Sequence, residues 1–174
     1  MKKVIRKLVY ELVKVFSINK ITGKSINGFN RILYYERPQH LTFLFQKKIR
    51  YEEVIQKKIM GCLKEGDLVF DIGANIGQYA LPFSELIGKT GRVISFEPDP
   101  VNFSFLQFNS NINRCRNVLC ENHGIGVKDE EKYFYRDTET GGRRSSFLKK
   151  HVGTGYTGFS DKVRLKKFDT IVSE

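Results

Sequence analysis

The stretch LVFDIGANIGQYAL, residues 68–81, begins as a buried strand and ends as a helix. Between the two, Gly73, Asn75 and Gly77 alternate behind the acidic Asp71. A strand that feeds a helix through such a turn lets a ligand lie against bare backbone where a Cβ would collide. The start of the helix adds free N–H groups.

The pattern continues outward from this turn. Leu68–Ile72 is mostly apolar, the mark of a strand covered on both faces. Residues 76–87 read as a helix with Ile76, Ala80, Phe83 and Ile87 on one side. Pro82 should bend or weaken its middle turn. GKTG at 88–91 makes the return turn, and residues 92–97 form the second strand. Asp99 can cap a following helix and Pro100 suits its first position. The spacing of Val101, Phe105, Phe108 and Ile112 predicts that helix's buried stripe. Residues 118–121 form a third strand. KYFYR, a Gly- and Ser-rich loop over 137–161, and KVRLKKF come after it. Strands alternating with helices imply a parallel sheet with right-handed crossovers.

The N-terminal third differs in character. Residues 2–18 predict an amphipathic helix, with Val4, Ile5, Leu8, Val9, Leu12, Val13 and Phe16 at helical spacing. SINKITGKSING at 17–28 reads as a loop, and a second helix is expected at about 51–63. The net charge of +11 is uneven. Residues 1–66 hold 15 Lys/Arg and 5 Asp/Glu, against 15 and 14 in residues 67–174. The basic character is therefore local, and a protein that coats nucleic acid along its whole length is excluded. No apolar run approaches the roughly 18 residues of a membrane span. The basic start of the chain has Arg6, Lys7, Glu11 and Lys14 interrupting its apolar core, so it reads as retained rather than as a secretion signal. Cys62, Cys115 and Cys120 show no paired spacing and read as reduced thiols. His40, His123 and His151 are too scattered for a metal site.

Three ligand classes compete for the glycine turn. A P-loop needs GxxxxGK[ST]. GKT at 88–90 and GKS at 23–25 both lack the leading glycine, and GKT follows a helix rather than preceding one. A dinucleotide turn needs GxGxxG, and from Gly73 the second and third glycines are replaced by Asn75 and Gln78. What remains is Asp-x-Gly-x-Asn-x-Gly with VISFEPDP ending the next strand. There Glu97 sits 24 residues after Gly73, where a strand-tip carboxylate can accept both hydroxyls of a ribose. Singly, an Asp-x-Gly can be turn chemistry and Glu97-Pro98-Asp99 can be a cap. Together, in order and at this spacing, they favour a ligand.

These residues match the first two motifs of class I S-adenosylmethionine-dependent methyltransferases. More narrowly, VFDIGANIGQYALPFS, VISFEPDPVNFSFLQFNSNIN and VRLKKFDTI resemble the FkbM family of methyltransferases over about residues 51–174. The resemblance implies a partial Rossmann-like α/β sheet with helices on both faces at 51–174. Residues 1–50 would be a basic extension carrying the N-terminal helix. It implies S-adenosyl-L-methionine as cofactor, with Gly73 and Gly77 letting it approach backbone and Asn75 capping the helix beside it. Asp71 would orient the loop and favour the ligand's ammonium, Glu97 would bind the ribose, and Asn122 would lie near the adenine. It also implies O-methylation of a hydroxyl on a sugar, polysaccharide or secondary metabolite, with no nucleic-acid partner and no metal. No catalytic residue is singled out, and His123 reads as a structural polar residue. In the family, FDTI is followed by a strand carrying Asp-x-Glu-Gly. The chain reaches Glu174 first, so truncation after the cofactor half is expected. A cytoplasmic protein is expected, touching the inner membrane surface at most through residues 2–18. Two other classes stay open: an inactive remnant or ligand- or membrane-binding module, and an NAD(P)-type oxidoreductase with an atypical glycine loop.

Overall fold

The computed structural model describes residues 21–36, 40, 43, 46–137, 145–152 and 156–173. The helix expected at 2–18 lies outside them. The chain runs through β1 (Ile21–Ser25), β2 (Ile32–Glu36), α1 (Glu53–Met60), β3 (Leu68–Ile72), α2 (Ala80–Leu86), β4 (Arg92–Phe96), α3 (Pro100–Ile112) and β5 (Val118–Glu121). It continues through β6 (Gly124–Gly126), β7 (Glu130–Asp137), β8 (Tyr156–Lys167) and α4 (Phe168–Ser173). Among the described residues no helix is long and apolar enough to cross a membrane.

The strand–helix alternation builds a parallel sheet in the order β3-β4-β5, with Asp71 beside Ser95 and Ser95 beside Cys120. Both crossover helices pack on one face, where Ala80, Phe83, Ile87, Val93 and Leu106 share a core. On the opposite face Phe70 stacks on Phe96, and Phe168 of α4 meets Phe70 edge-on at 5.0 Å. Among the described strands β3 is an edge, and its Leu68 and Ile72 are 56% and 58% exposed. The later strands form a separate sheet in the order β6-β8-β7, with β8 parallel to β6 and antiparallel to β7.

Four readings change. The segment expected as a loop at 17–28 contributes β1 to an antiparallel hairpin with β2. Ile26, Leu33 and Tyr35 from this hairpin region bury against Ile76 and Leu81, so α2 is wrapped on two sides. Second, the helix after the glycine turn begins at Ala80 rather than at 76, with turns between. Pro82 therefore sits in the first turn, where a missing N–H costs least. The carbonyl four residues earlier, on Gln78, accepts instead from buried Gln56 Nε2 at 3.4 Å. Third, the helix at 51–63 is shorter, spanning Glu53–Met60.

Fourth, the buried residues of α3 are Asn102, Leu106, Asn109 and Ser110, while Phe108 and Ile112 are 43% and 52% exposed. Apolar spacing misplaced this face because asparagines do the burying. Asn109 Oδ1 accepts from Tyr34 N at 2.8 Å, and its Nδ2 donates to Tyr34 O at 2.9 Å and Ile76 O at 2.8 Å. One turn later Asn113 Oδ1 accepts from Ile32 N at 2.8 Å and its Nδ2 donates to Ile32 O at 2.7 Å. The helix thus reads the free edge of β2 as a neighbouring strand would.

Asn109→Ala would leave three main-chain polar groups without this partner, each costing about 1–3 kcal/mol where buried. Equilibrium urea denaturation should show a loss of about 3 kcal/mol or more, and a clearly smaller loss for Asn113→Ala, whose site is less buried.

Candidate functional site

The glycine turn lies at the C-terminal tips of β3, β4 and β5, where open parallel sheets place their ligands. Gly73 takes φ +82°, and a Cβ built there would meet nothing within 4 Å, so this face of the turn is open. Gly77 takes φ +99° for a different reason: its Cβ would come within 3.3 Å of Leu106. Its bareness serves the packing of α3 as well as the turn. Asn75 also adopts positive φ, +51°. Asparagine tolerates this left-handed region better than other non-glycine residues. Its Oδ1 accepts from Ile76 N at 2.9 Å and from Gln78 Nε2 at 3.2 Å.

The N–H groups of residues 73–77 are all taken. Gly73 N and Ala74 N both donate to Phe96 O, at 2.9 and 3.0 Å, and Gly77 N donates to Ala74 O at 2.9 Å. Asn75 N donates to Glu97 Oε2 at 2.7 Å, and Ile76 N is satisfied by the Asn75 side chain. Residues 73–77 therefore offer no row of N–H groups to an anion.

The carboxylates are arranged the opposite way. Asp71 is 8% exposed, and its Oδ2 has no hydrogen-bond partner among the described residues. Burial pushes its pKa up to about 7, against a smaller opposing effect from the Ala80 N–H. Glu97 is 5% exposed and is likewise pushed up to about 7, chiefly by burial. The N–H groups of Asp99 and Asn75 oppose the rise, and the charges of Asp99 and Asp71 add to it. Among the described residues neither forms an ion pair. Asp99, in contrast, is neutralised: it caps α3 through Val101 N at 2.9 Å and takes a two-pronged ion pair from Arg136 at 3.0 Å.

Asn122 joins the site through its amide, which donates to Glu97 O at 2.9 Å and thereby braces the tip of β5 against that of β4. His123 is buried against Phe96, with Nδ1 3.2 Å from Gly124 O and Nε2 3.7 Å from Glu121. The sequence reading missed Ser95, whose buried Oγ lacks a partner beside Asp71, and Arg136, which anchors β7 to Asp99. A serine inside the apolar run VISF was the available signal for the first. Nothing local marked the second, because its partner is 37 residues away.

A parallel βαβαβ unit with this turn and a carboxylate at the next strand tip defines a Rossmann-like fold of the class I methyltransferase type. The TRM5/TYW2 methyltransferase domain model matches residues 42–132, and the chain belongs to that family. Its cofactor is S-adenosylmethionine. The resemblance to FkbM methyltransferases also holds: the chain is 48% identical over 48 residues to the 31-O-demethyl-FK506 methyltransferase FkbM of Streptomyces tacrolimicus. That match covers 28% of this chain and 18% of the relative. Among solved structures, TYW2 of P. horikoshii in complex with MeSAdo is 21% identical, covering 69% of this chain and 47% of that one at a TM-score of 0.47. A SAM-dependent O-methyltransferase of Thermotoga maritima is 20% identical, covering 48% and 32% at a TM-score of 0.40. The chain therefore matches under half the length of these relatives.

The two raised carboxyl groups set a pH dependence. Folded protein holds their protons up to about pH 7, whereas the unfolded chain releases them near the ordinary carboxyl values of 3.8 and 4.5. Between those limits the folded state binds more protons, so stability falls as pH rises. Thermal melting of the ligand-free protein should drop between about pH 5 and about pH 8. Asp71→Asn should flatten the profile.

Proposed function

We propose that the protein binds S-adenosylmethionine across the tips of β3 and β4 and presents its methyl group to a hydroxyl acceptor. One observation carries this reading. The N–H groups of residues 73–77 are spent inside the protein, while among the described residues two buried carboxyl groups stand without a cation. A dinucleotide would bring an anionic pyrophosphate to donors that are already engaged. S-adenosylmethionine brings an ammonium, a sulfonium and two ribose hydroxyls to a site rich in acceptors, and supplies an activated methyl group when bound. In this reading Asp71 Oδ2 takes the ammonium, Glu97 takes the ribose, and Gly73 gives the open backbone against which the ligand lies. Asn75 and Asn122 hold the carboxylate tip in place, and Gly77 sets the approach of α3.

The acceptor class is supported by the partial relative whose name specifies methylation at an oxygen. We assign the acceptor as a hydroxyl on a sugar, polysaccharide or secondary metabolite. For such an acceptor the protein's task is alignment and exclusion of water, since methyl transfer is an in-line displacement. Residues 51–174 form the cofactor-binding part in this reading, residues 1–50 a basic extension, and the reaction is placed in the cytoplasm.

Titration calorimetry should show binding of S-adenosylmethionine or its demethylated product, and none of NAD. A hydrogen bond to a charged group contributes about 1.5–3 kcal/mol. Glu97→Ala should thus weaken binding roughly tenfold to a hundredfold. Tighter binding of NAD, or indifference to this substitution, would overturn the assignment. Methyl transfer to a panel of hydroxyl-bearing glycans and metabolites tests the acceptor class separately.

A further inference from the structure

The outer side of the β1–β2 hairpin and the solvent side of α3 form one apolar surface. Tyr34 and Ile32 stand opposite Gly23 and Ser25, and Ile21, two residues before Gly23, lies on the same side of the hairpin. A Cβ on Gly23 would come within 2.7 Å of the Tyr34 ring and 3.0 Å of Ile32, so both side chains lie against β1 there. The Tyr34 ring in turn meets Phe108 of α3 edge-on at 5.5 Å. Ile112 follows Phe108 one turn later, next to the Asn113 amide that holds Ile32. Ile21, Ile32, Phe108 and Ile112 are 57%, 43%, 43% and 52% exposed. Phe108 and Ile112 end the stripe whose spacing predicts burial, yet no described residue buries them.

We infer that the occupant of this surface is residues 2–18 of the same chain, docked as a helix. The apolar residues of that segment, from Val4 to Phe16, fall within one half of a helical projection, and Lys3, Arg6, Lys7 and Lys14 within the other. Val4, Ile5, Val9, Val13 and Val15 are weak helix formers. Such a helix gains little from propensity in water and depends on covering its apolar half. Only residues 17–20 separate it from Ile21, which already belongs to the surface. A connection of that length is ordinary between packed elements. A helix of roughly 25 Å that turns back there runs antiparallel to β1, whose five residues span about 17 Å, and along α3 beside it. So short a tether holds the segment at an effective concentration in the millimolar range. A bilayer or a second copy of the chain has to compete against that, which favours the protein's own surface. Docked this way, the apolar half meets Ile21, Ile32, Phe108 and Ile112, and the cations face solvent. The inference needs nothing from the carboxylate site.

The test uses the full chain in equilibrium urea denaturation. The parent is compared with Leu8→Ser plus Leu12→Ser, with Phe108→Ser plus Ile112→Ser, and with all four substitutions together. Each pair should raise the unfolding equilibrium constant about tenfold or more, since apolar side chains leave a buried contact. The four substitutions together should fall short of the product of the two pairs by about fivefold or more, because both pairs remove the same contact. Additive pairs would overturn the inference. Limited trypsin digestion gives a second readout on the native protein. Cleavage after Arg6, Lys7 and Lys14 should be several-fold faster in the Phe108→Ser, Ile112→Ser variant, whose cooperative urea transition reports that the rest of the fold persists. Equal cleavage rates in parent and variant would overturn it. So would a parent dimer in analytical ultracentrifugation that the α3 pair converts to monomer, which would assign the surface to a second copy. Sedimentation of the parent with vesicles of phosphatidylcholine and phosphatidylglycerol, abolished by the Leu8→Ser, Leu12→Ser pair, would overturn it in favour of a lipid surface.

Discussion

The carbonyl of Phe96 and the carboxylate of Glu97 together take three consecutive N–H groups from the turn at Gly73, Ala74 and Asn75. This lashing of one strand's exit to the next strand's tip is what the site depends on. It holds Asn75 in a left-handed conformation, and that conformation aims the chain into α2 with Asp71 kept beneath it. The same bond draws Glu97 inward, where burial opposes its ionisation. Fold and electrostatics are therefore linked here, since the N–H that shapes the turn also opposes the burial-driven rise in the Glu97 pKa.

The hairpin extends this constraint outward. Asn109 holds the carbonyl of Ile76, one residue beyond the lashed turn, and the edge of β2 with the same amide. The N-terminal strands are thus hydrogen-bonded to the ligand turn through this buried side chain, beside the packing of Leu33 and Tyr35 on Ile76. On the other side, Arg136 ties β7 to Asp99, which caps α3. One α3 attachment meets the turn that bonds Glu97, and the other the loop that carries it.

The parallel core was legible because its strands are short apolar runs punctuated by Gly, Asn and Asp-Pro, each with one dominant conformational meaning. The meeting of Asp71, Gly73 and Glu97 at neighbouring strand tips was legible because residue type and spacing coincide within 27 positions. The hairpin at 21–36 was not, since Gly23, Lys24 and Ser25 carry little strand preference alone and are held by register with Tyr34, Leu33 and Ile32. The buried face of α3 failed for a related reason. Hydropathy places asparagine at the surface, and only a strand edge arriving from 75 residues earlier in the chain makes burial favourable. Long-range polar pairing leaves no periodic trace.

The match between α3 and β2 also has a natural length. Four residues of helix advance about 6.0 Å, while two residues of strand advance roughly 6.6–6.8 Å. The two rulers agree well enough for Asn109 and Asn113 to meet Tyr34 and Ile32, but the offset of somewhat under 1 Å grows with every further rung. A helix can therefore imitate a strand for two steps and little more. The hairpin is capped by a vernier that fits at one setting, which fixes its register along the helix.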